Sequence, residues 1–343
     1  MQQPSTIILG IESSCDDTAA AIIKNGKILA NIVANQDVHK AYGGVVPELA
    51  SRAHQQNIVP VVEAAINEAG IKKSDINGIA FTNGPGLLGS LLVGSSFSKA
   101  FAMAMNIPLI EVNHMQGHIL AHFIEEKDGS KNPPTFPFIC LTVSGGHTQL
   151  VKVSSYFEME VLGETIDDAA GEAFDKVAKM LSIPYPGGPL LDKYAQLGDA
   201  TKYKFAHPKV PELNYSFSGL KTSVLYFLKK QLKENPDFIT ENLNDICASV
   251  QKTIVEILMI ELNKAIKQTG IKRIAIAGGV SANSELRNQI QNLTTTGCEV
   301  YIPKFEYCTD NAGMIAVAGY FKFLEKNFST QGITPNARMK VNQ

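Results

Sequence analysis

One succession of apolar runs and polar corners is traversed twice, and this repeat restricts the fold more than any other feature of the sequence. In the first half, residues 6–12 read as a strand, 13–18 as a polar turn and 19–24 as a second strand. Asn25-Gly26 is a two-residue hairpin signal, so residues 27–34 return as a third strand. Residues 47–70 have helical spacing, with Pro47 at the start and Gly70 at the stop. A strand over 78–82, the loop Asn83-Gly84-Pro85-Gly86, a helix over 87–105 and a strand over 109–112 follow, and Asn113 then opens a short helix. Residues 128–137, with three prolines, read as a linker.

After it the order restarts. Residues 138–143 and 148–153 are strands about the turn Ser144-Gly145-Gly146-His147. A long helix over 245–269, a strand over 272–277, the loop Gly278-Gly279-Val280-Ser281, a helix over 283–292 and a strand over 298–302 come next. Thr309-Asp310-Asn311 opens a last helix over 312–325. The order of elements matches between halves although their residues do not. The expected fold is α/β and duplicated: a first lobe over 1–132, and a second over 133–343 with helical insertions, its last helix free to pack back on the first lobe.

Composition narrows the class. A hydrophobic fraction of 45% against 19% charged residues is that of a globular chain with a sizeable core. No run approaches the ~18 apolar residues of a membrane span, and residues 1–4 show no basic, apolar or Arg-rich targeting pattern. Five scattered cysteines with no C-x-x-C pair favour free thiols in a reducing cytoplasm. A net charge of −2 makes the whole chain no trap for nucleic acid, so any such contact must be local or shared with a partner.

Three of the seven histidines fall between residues 113 and 122. His114 and His118 are four apart, hence on one helix face, where two imidazoles either hold a metal or line an ordinary helix. In the second half Asp310 occupies the place of that pair. A pseudo-two-fold would bring it opposite them, completing a His, His and carboxylate set suited to Zn²⁺ or Fe²⁺.

Four small, polar corners could bring backbone N–H groups to phosphates: those at Ser13, Asn83, Ser144 and Gly278. Beyond the carboxyl ends of facing sheets they would converge on one cleft, as in the actin, Hsp70 and sugar-kinase group, where an ATP- or AMP-type nucleotide lies between duplicated lobes. No Walker-type phosphate loop is present, which excludes a P-loop ATPase. Glu12 and Asp16 enter the first corner and either position a cation, water or amine or form an exposed turn. Asp167, Asp168, Glu172 and Asp175 form an acidic run, the last three at one-face helical spacing; it is a solvated face or, beside a rigid Pro184–Pro189 turn and Asp192, a site for ribose or amine hydroxyls. Basic and aromatic residues interleave from Lys202 to Lys209, and Lys221, Lys229, Lys230 and Lys233 follow in a helical stretch.

Eight segments in register then give a closer likeness: residues 10–18, 43–52, 114–118, 143–150, 166–176, 217–222, 277–283 and 308–311. Together they resemble the universal tRNA threonylcarbamoyladenosine transferase family from about Leu9 to Tyr320. His147 and Cys308-Thr309 are similar to its bacterial and organellar branch. The resemblance implies transfer of threonylcarbamoyl from threonylcarbamoyl-AMP to N6 of the adenosine 3′ of the anticodon (position 37) in tRNAs reading codons that start with A. It implies one divalent metal on His114, His118 and Asp310, and substrate contacts at Thr142, Val143, Ser144, Gly145, Gly146, Asp175, Gly188, Asp192 and Asn283. Asp16 matches a carboxylate implicated in activity. It implies as partners a degenerate paralogue of the same fold and a small P-loop ATPase, with no membrane and a cytoplasmic location. Gln116 departs from the pattern, standing where many members have Glu.

Three rivals remain in view. A zinc protease needs Glu directly after the first His, and Met115 stands there. A nucleotide-binding scaffold without transfer chemistry, or a sugar kinase, would not require the two histidines and Asp310 to face the nucleotide.

Overall fold

The computed structural model describes residues 5–36, 39 and 42–343; the lead-in over residues 1–4 lies outside the described residues. The chain divides into two compact units. The first comprises Met1–Pro134, Tyr156–Glu158 and Pro303–Gln343, the second Thr135–Ser155 and Met159–Ile302.

In the first unit β1 (Ile7–Glu12), β2 (Thr18–Lys24) and β3 (Lys27–Ala34) form an antiparallel meander, and β4 (Gly78–Gly84) and β5 (Leu109–Asn113) add in parallel, giving the order β3-β2-β1-β4-β5. Asn25 and Gly26 both take positive φ, 54° and 86°, as the tight hairpin requires. Parallel neighbours need crossovers, supplied by α1 (Pro47–Ala69) and α2 (Leu88–Met105). Strand alternation sends Ile7, Leu9 and Ile11 into a core with Ile58, Val62 and Phe81. Ile8, Gly10 and Glu12 therefore point to the other face. Among the described residues α2 alone is long and apolar enough by length and composition to cross a bilayer, with mean hydropathy 1.2 over 18 residues, although its serines and Lys99 leave no uninterrupted apolar run. It carries Lys99 and packs on α1 and β4. After β5 the chain enters α3 (His114–Leu120).

The second unit repeats this plan. β6 (Phe138–Val143), β7 (Thr148–Val153) and β8 (Met159–Glu164) form the meander, and β9 (Arg273–Ala277) and β10 (Glu299–Tyr301) the parallel extension, in the order β8-β7-β6-β9-β10. The helices are α4 (Ala170–Met180), α5 (Gly187–Ala195), α6 (Ser218–Glu234), α7 (Phe238–Thr269) and α8 (Ser284–Asn292). Ile139, Leu141, Val143 and Ile276 share one core with Phe174, Phe217 and Leu258. Two expectations need correction. The Pro184–Pro189 stretch is no free turn, because Gly187 already begins α5. The long helix starts at Phe238 rather than 245, across a kink at Asn242.

The last helix, α9 (Ala312–Leu324), belongs with the first unit and lies across β1, β2 and β4. Small residues make this possible. A Cβ added to Gly10 would stand 2.7 Å from the Ala312 carbonyl oxygen and Ala316 Cβ, and one on Gly319 would stand 2.3 Å from Ala80 Cβ. Ala312, Ala316 and Gly319 recur at helical spacing, so one smooth stripe of α9 seats against Gly10 and Ala80.

Candidate functional site

Asn113 builds the start of α3. Its side-chain oxygen accepts from the backbone N–H of Met115 at 2.9 Å and Gln116 at 3.3 Å, an N-cap that fixes the helix at the carboxyl end of β5. Every residue of α3 is buried. His114 and His118 share one face, their ring centroids 4.7 Å apart and nearly perpendicular. Asp310, one residue before the N-cap of α9, completes the group: its Oδ1 lies 3.4 Å from His114 Nε2 and 3.3 Å from His118 Nε2. One ligand atom from each residue falls within 4.8 Å of the others. The three meet inside the first unit. The expectation that Asp310 faces the histidines from the second lobe is therefore corrected: α9 seats on β1, and the carboxylate comes with it.

The cluster fits a cation. The buried His118 Nδ1 has no hydrogen-bond partner, and its Nε2, without a well-aligned hydrogen bond, faces Asp310 Oδ1, so three electron-pair donors converge on one point. His114 is oriented through its other nitrogen, since Nδ1 lies 3.2 Å from Glu12 Oε2 and 3.2 Å from Ser14 Oγ. Such a carboxylate–imidazole contact directs the Nε2 lone pair outward. Burial opposes charge on Glu12, His114 and Asp310, but mutual attraction outweighs it. Glu12 and Asp310 raise His114 well above its ordinary value; His114 lowers Glu12, and His114 with His118 holds Asp310 far below the carboxylate range.

Glu12 is fully buried and already committed. Besides His114 it accepts from Ser14 N and Thr82 Oγ1, each at 2.5 Å. The geometry thus gives Glu12 the job of orienting His114 rather than that of a general base, and of the two candidate carboxylates Asp16 keeps the greater access, being half-buried. The Ser13–Asp16 corner is clamped from behind by residues that sequence reading did not single out. His54 Nε2 donates to the Cys15 carbonyl at 3.0 Å, Ser90 Oγ donates to the same oxygen at 2.9 Å, and Thr18 Oγ1 lies 2.8 Å from His54 Nδ1. Burial lowers the His54 pKa, consistent with a neutral ring that donates at Nε2 and accepts at Nδ1. His54 is the eighth residue of α1, two beyond the segment 43–52, and nothing in spacing marks it as a clamp; only the fold does.

In the second unit the acidic run does not form one face. Asp168 precedes α4 and pairs with Lys176 at 2.7 Å, while Glu172 pairs with the same lysine at 2.7 Å. Asp167 receives Phe217 N at 2.8 Å and Ser218 Oγ at 2.7 Å, fastening the start of α6. Asp175 accepts from Gly187 N and Gly188 N at 2.9 and 3.1 Å, at the start of α5, and burial raises its pKa despite those donors. Asp192 on α5 accepts from Ser284 N and Oγ at 3.2 and 2.5 Å, at the start of α8. Asn283 caps α8 through Leu286 N and donates to Gln251 on α7 at 2.8 Å. These three candidate substrate residues are thus links in a chain of caps that fixes α5, α8 and α7 together. Thr142 is buried and donates to Gln149 O at 3.2 Å, and Val143 is in the core. Ser144 closes its turn by receiving His147 N on Oγ at 3.0 Å. Gly145 and Gly146 are exposed, with open space where a side chain would project.

Fold and cluster together define a duplicated α/β protein of the actin and sugar-kinase type with a His, His and carboxylate centre in its first unit. Among solved structures it is similar to T. kodakarensis HypF (TM-score 0.60, 14% identity, 95% of this chain and 48% of that one). It is also similar to (R)-2-hydroxyglutaryl-CoA dehydratase component A of Acidaminococcus fermentans (TM-score 0.52, 15% identity, 93% and 99%). Residues 27–317 match the family model TsaD, tRNA N6-adenosine threonylcarbamoyltransferase. Proteins of that name from Christiangramia forsetii and Riemerella anatipestifer are 63% and 60% identical, covering 97% and 98% of this chain and 98% of each relative. The chain belongs to the tRNA N6-adenosine threonylcarbamoyltransferase family.

Proposed function

We propose that this transferase, which forms threonylcarbamoyladenosine in tRNA, takes threonylcarbamoyl-AMP as donor and modifies the adenosine 3′ of the anticodon, at position 37. The observation that carries the reading is the His114–His118–Asp310 cluster, with its orphaned buried imidazole nitrogens, in a chain of this family. His114, His118 and Asp310 would hold one divalent ion, Fe²⁺ or Zn²⁺, which would supply Lewis-acid chemistry toward the carbamoyl or phosphate oxygens. Glu12 and Ser14 keep His114 in the tautomer that leaves Nε2 free. The Thr142–Gly146 turn offers backbone N–H groups to the adenylate through the exposed Gly145 and Gly146. Asp175, Gly188, Asp192 and Asn283 receive its ribose and amino groups at the helix starts they already organise. The exocyclic adenine amine is a weak base, so positioning and fixed electrostatics carry most of the rate. Asp16 is the carboxylate nearest in role to a proton acceptor. The reaction takes place in the cytoplasm, with a degenerate paralogue and a small P-loop ATPase as partners.

The test is transfer of labelled threonylcarbamoyl from its adenylate to tRNA, with partners supplied, for wild type and His114→Ala, metal content being measured on each. Loss of metal with loss of transfer is expected. Undiminished transfer by a metal-free variant would remove the metal from the reaction.

A further inference from the structure

The basic stretch singled out in the sequence has two fates in the fold. Between Lys202 and Lys233 the chain carries seven lysines and one glutamate, against a total charge of −2. Part of this stretch is structural. Lys202 pairs with Asp245 at 2.6 Å, Lys221 faces Asp168 at 3.5 Å, and Phe205 is buried against Phe227. Tyr203 is likewise turned inward, donating to Asn242 at 3.0 Å and packing on Phe227 and Phe238.

The remainder lies on one face of α6. Leu220, Val224 and Leu228, four apart, are its buried side. Tyr226, Lys229, Lys230 and Lys233 stand at i, i+3, i+4 and i+7 on the opposite side. All four are exposed, Tyr226 at 67%. None of the three lysines has an ion-pair partner among the described residues, whereas Lys73, Lys127, Lys131, Lys152, Lys252 and Lys264 on other surfaces are each paired with a glutamate. Lys204 and Lys209 are exposed on the preceding loop, which is held to α6 where Ala206 N meets Ser223 Oγ at 3.3 Å. The acids nearest in sequence are Glu212 on the preceding loop, Glu234 at the end of α6 and Asp237 just beyond it.

Three uncompensated ammonium groups and one outward aromatic ring on a single helix face match a polyanion that also offers stacking surfaces. Lysine meets RNA phosphates as a point charge, and a tyrosine ring accepts an unstacked base of any identity. In a chain with no net attraction for RNA, such attraction has to be local. We propose that the Tyr226–Lys229–Lys230–Lys233 face of α6 is a contact surface for the tRNA substrate, binding its backbone and one unstacked base rather than reading sequence.

The test uses the full chain with partners and donor supplied, comparing Lys229→Glu/Lys230→Glu/Lys233→Glu, Tyr226→Ala and wild type. The triple reversal is expected to raise KM for tRNA by ~10-fold or more, to flatten the salt dependence of tRNA binding by ~2–3 in logarithmic slope, and to leave KM for the adenylate and the melting temperature little changed. Tyr226→Ala is expected to weaken tRNA binding ~5-fold with the salt slope retained. The control Lys264→Glu/Lys267→Glu, on α7, is expected to leave tRNA KM near wild type. Unchanged tRNA KM in the triple reversal overturns the proposal, as does an equal loss in the control. Loss of a partner protein with tRNA binding intact reassigns the face to that protein and also overturns it. Failure of wild type itself to modify tRNA would instead strike the reading of the reaction.

Discussion

The two sheets share one strand order, yet the corners after their first strands have opposite characters. The corner after β1 is sunk and clamped. Glu12 is fully buried, Ser13 and Ser14 are nearly so, and a Cβ on Gly86 would stand 2.4 Å from the Ser14 carbonyl oxygen. The corner after β6 stands open, with nothing within 4 Å of a Cβ on Gly145 or Gly146. Identical topology has been fitted to two tasks, one holding carboxylates and imidazoles away from water, the other leaving backbone amides approachable. Strand order places a corner; the helices packed behind it decide its chemistry.

The sharpest break of this contrast is Asp310→Ala. It removes a proposed ligand rather than a supporting group, so metal content should fall from the proposed one ion per chain to near none, and transfer by more than the ~10–100-fold typical of losing a group that supports a ligand. Metal analysis beside the tRNA assay checks it. Next come paired glycine substitutions. Gly86→Ala should cost ~3 kcal/mol through the Ser14 overlap. Gly145→Ala should leave stability within ~0.5 kcal/mol while raising KM for the adenylate; denaturant melts and kinetics separate the two.

A pH effect is expected at the first corner. Burial, and then Asp16, Asp310 and Glu12, push the Asp17 carboxyl up to about 7. Such a group binds more protons folded than unfolded, so its contribution is full below the unfolded carboxylate value and is lost as pH climbs from ~4 to ~7. Asp17→Asn should therefore stabilise the metal-free chain by ~2 kcal/mol at pH 8 and hardly at all at pH 4, as read from unfolding at both values. A smaller loss than at Gly86 is expected in the second unit: Asp192→Ala removes the acceptor for Ser284 at the start of α8 and should cost ~1 kcal/mol, read from denaturant melts.

Much of this was legible in the chain because the signals are local. Apolar runs and Asn25-Gly26 marked the first meander, and helical spacing put His114 and His118 on one face. What escaped depends on partners distant in sequence. β8 went unread because Met159–Glu164 leaves Glu160 and Glu164 exposed and alternates poorly. Asp168, Glu172 and Asp175 looked like one face, but Asp168 lies before the helix and shares Lys176 with Glu172, while Asp175 answers the Gly187 and Gly188 amides. Gly187 looked like a turn because the carboxylate receiving its amide, Asp175, is twelve residues away. Asp310 was recognisable as a ligand, yet its membership in the first unit rests on steric fit between α9, Gly10 and Ala80, which no periodicity announces.

That late arrival has a consequence for synthesis. His114 and His118 leave the ribosome about 190 residues before Asp310, a wait of roughly 10–40 s at ordinary elongation rates. Through that interval the first sheet lacks the helix that covers Ile8 and Gly10, and the imidazole pair lacks its carboxylate. A nascent chain therefore cannot bring the three candidate ligands together early. The complete site is itself a sign that translation has passed the whole of the second unit.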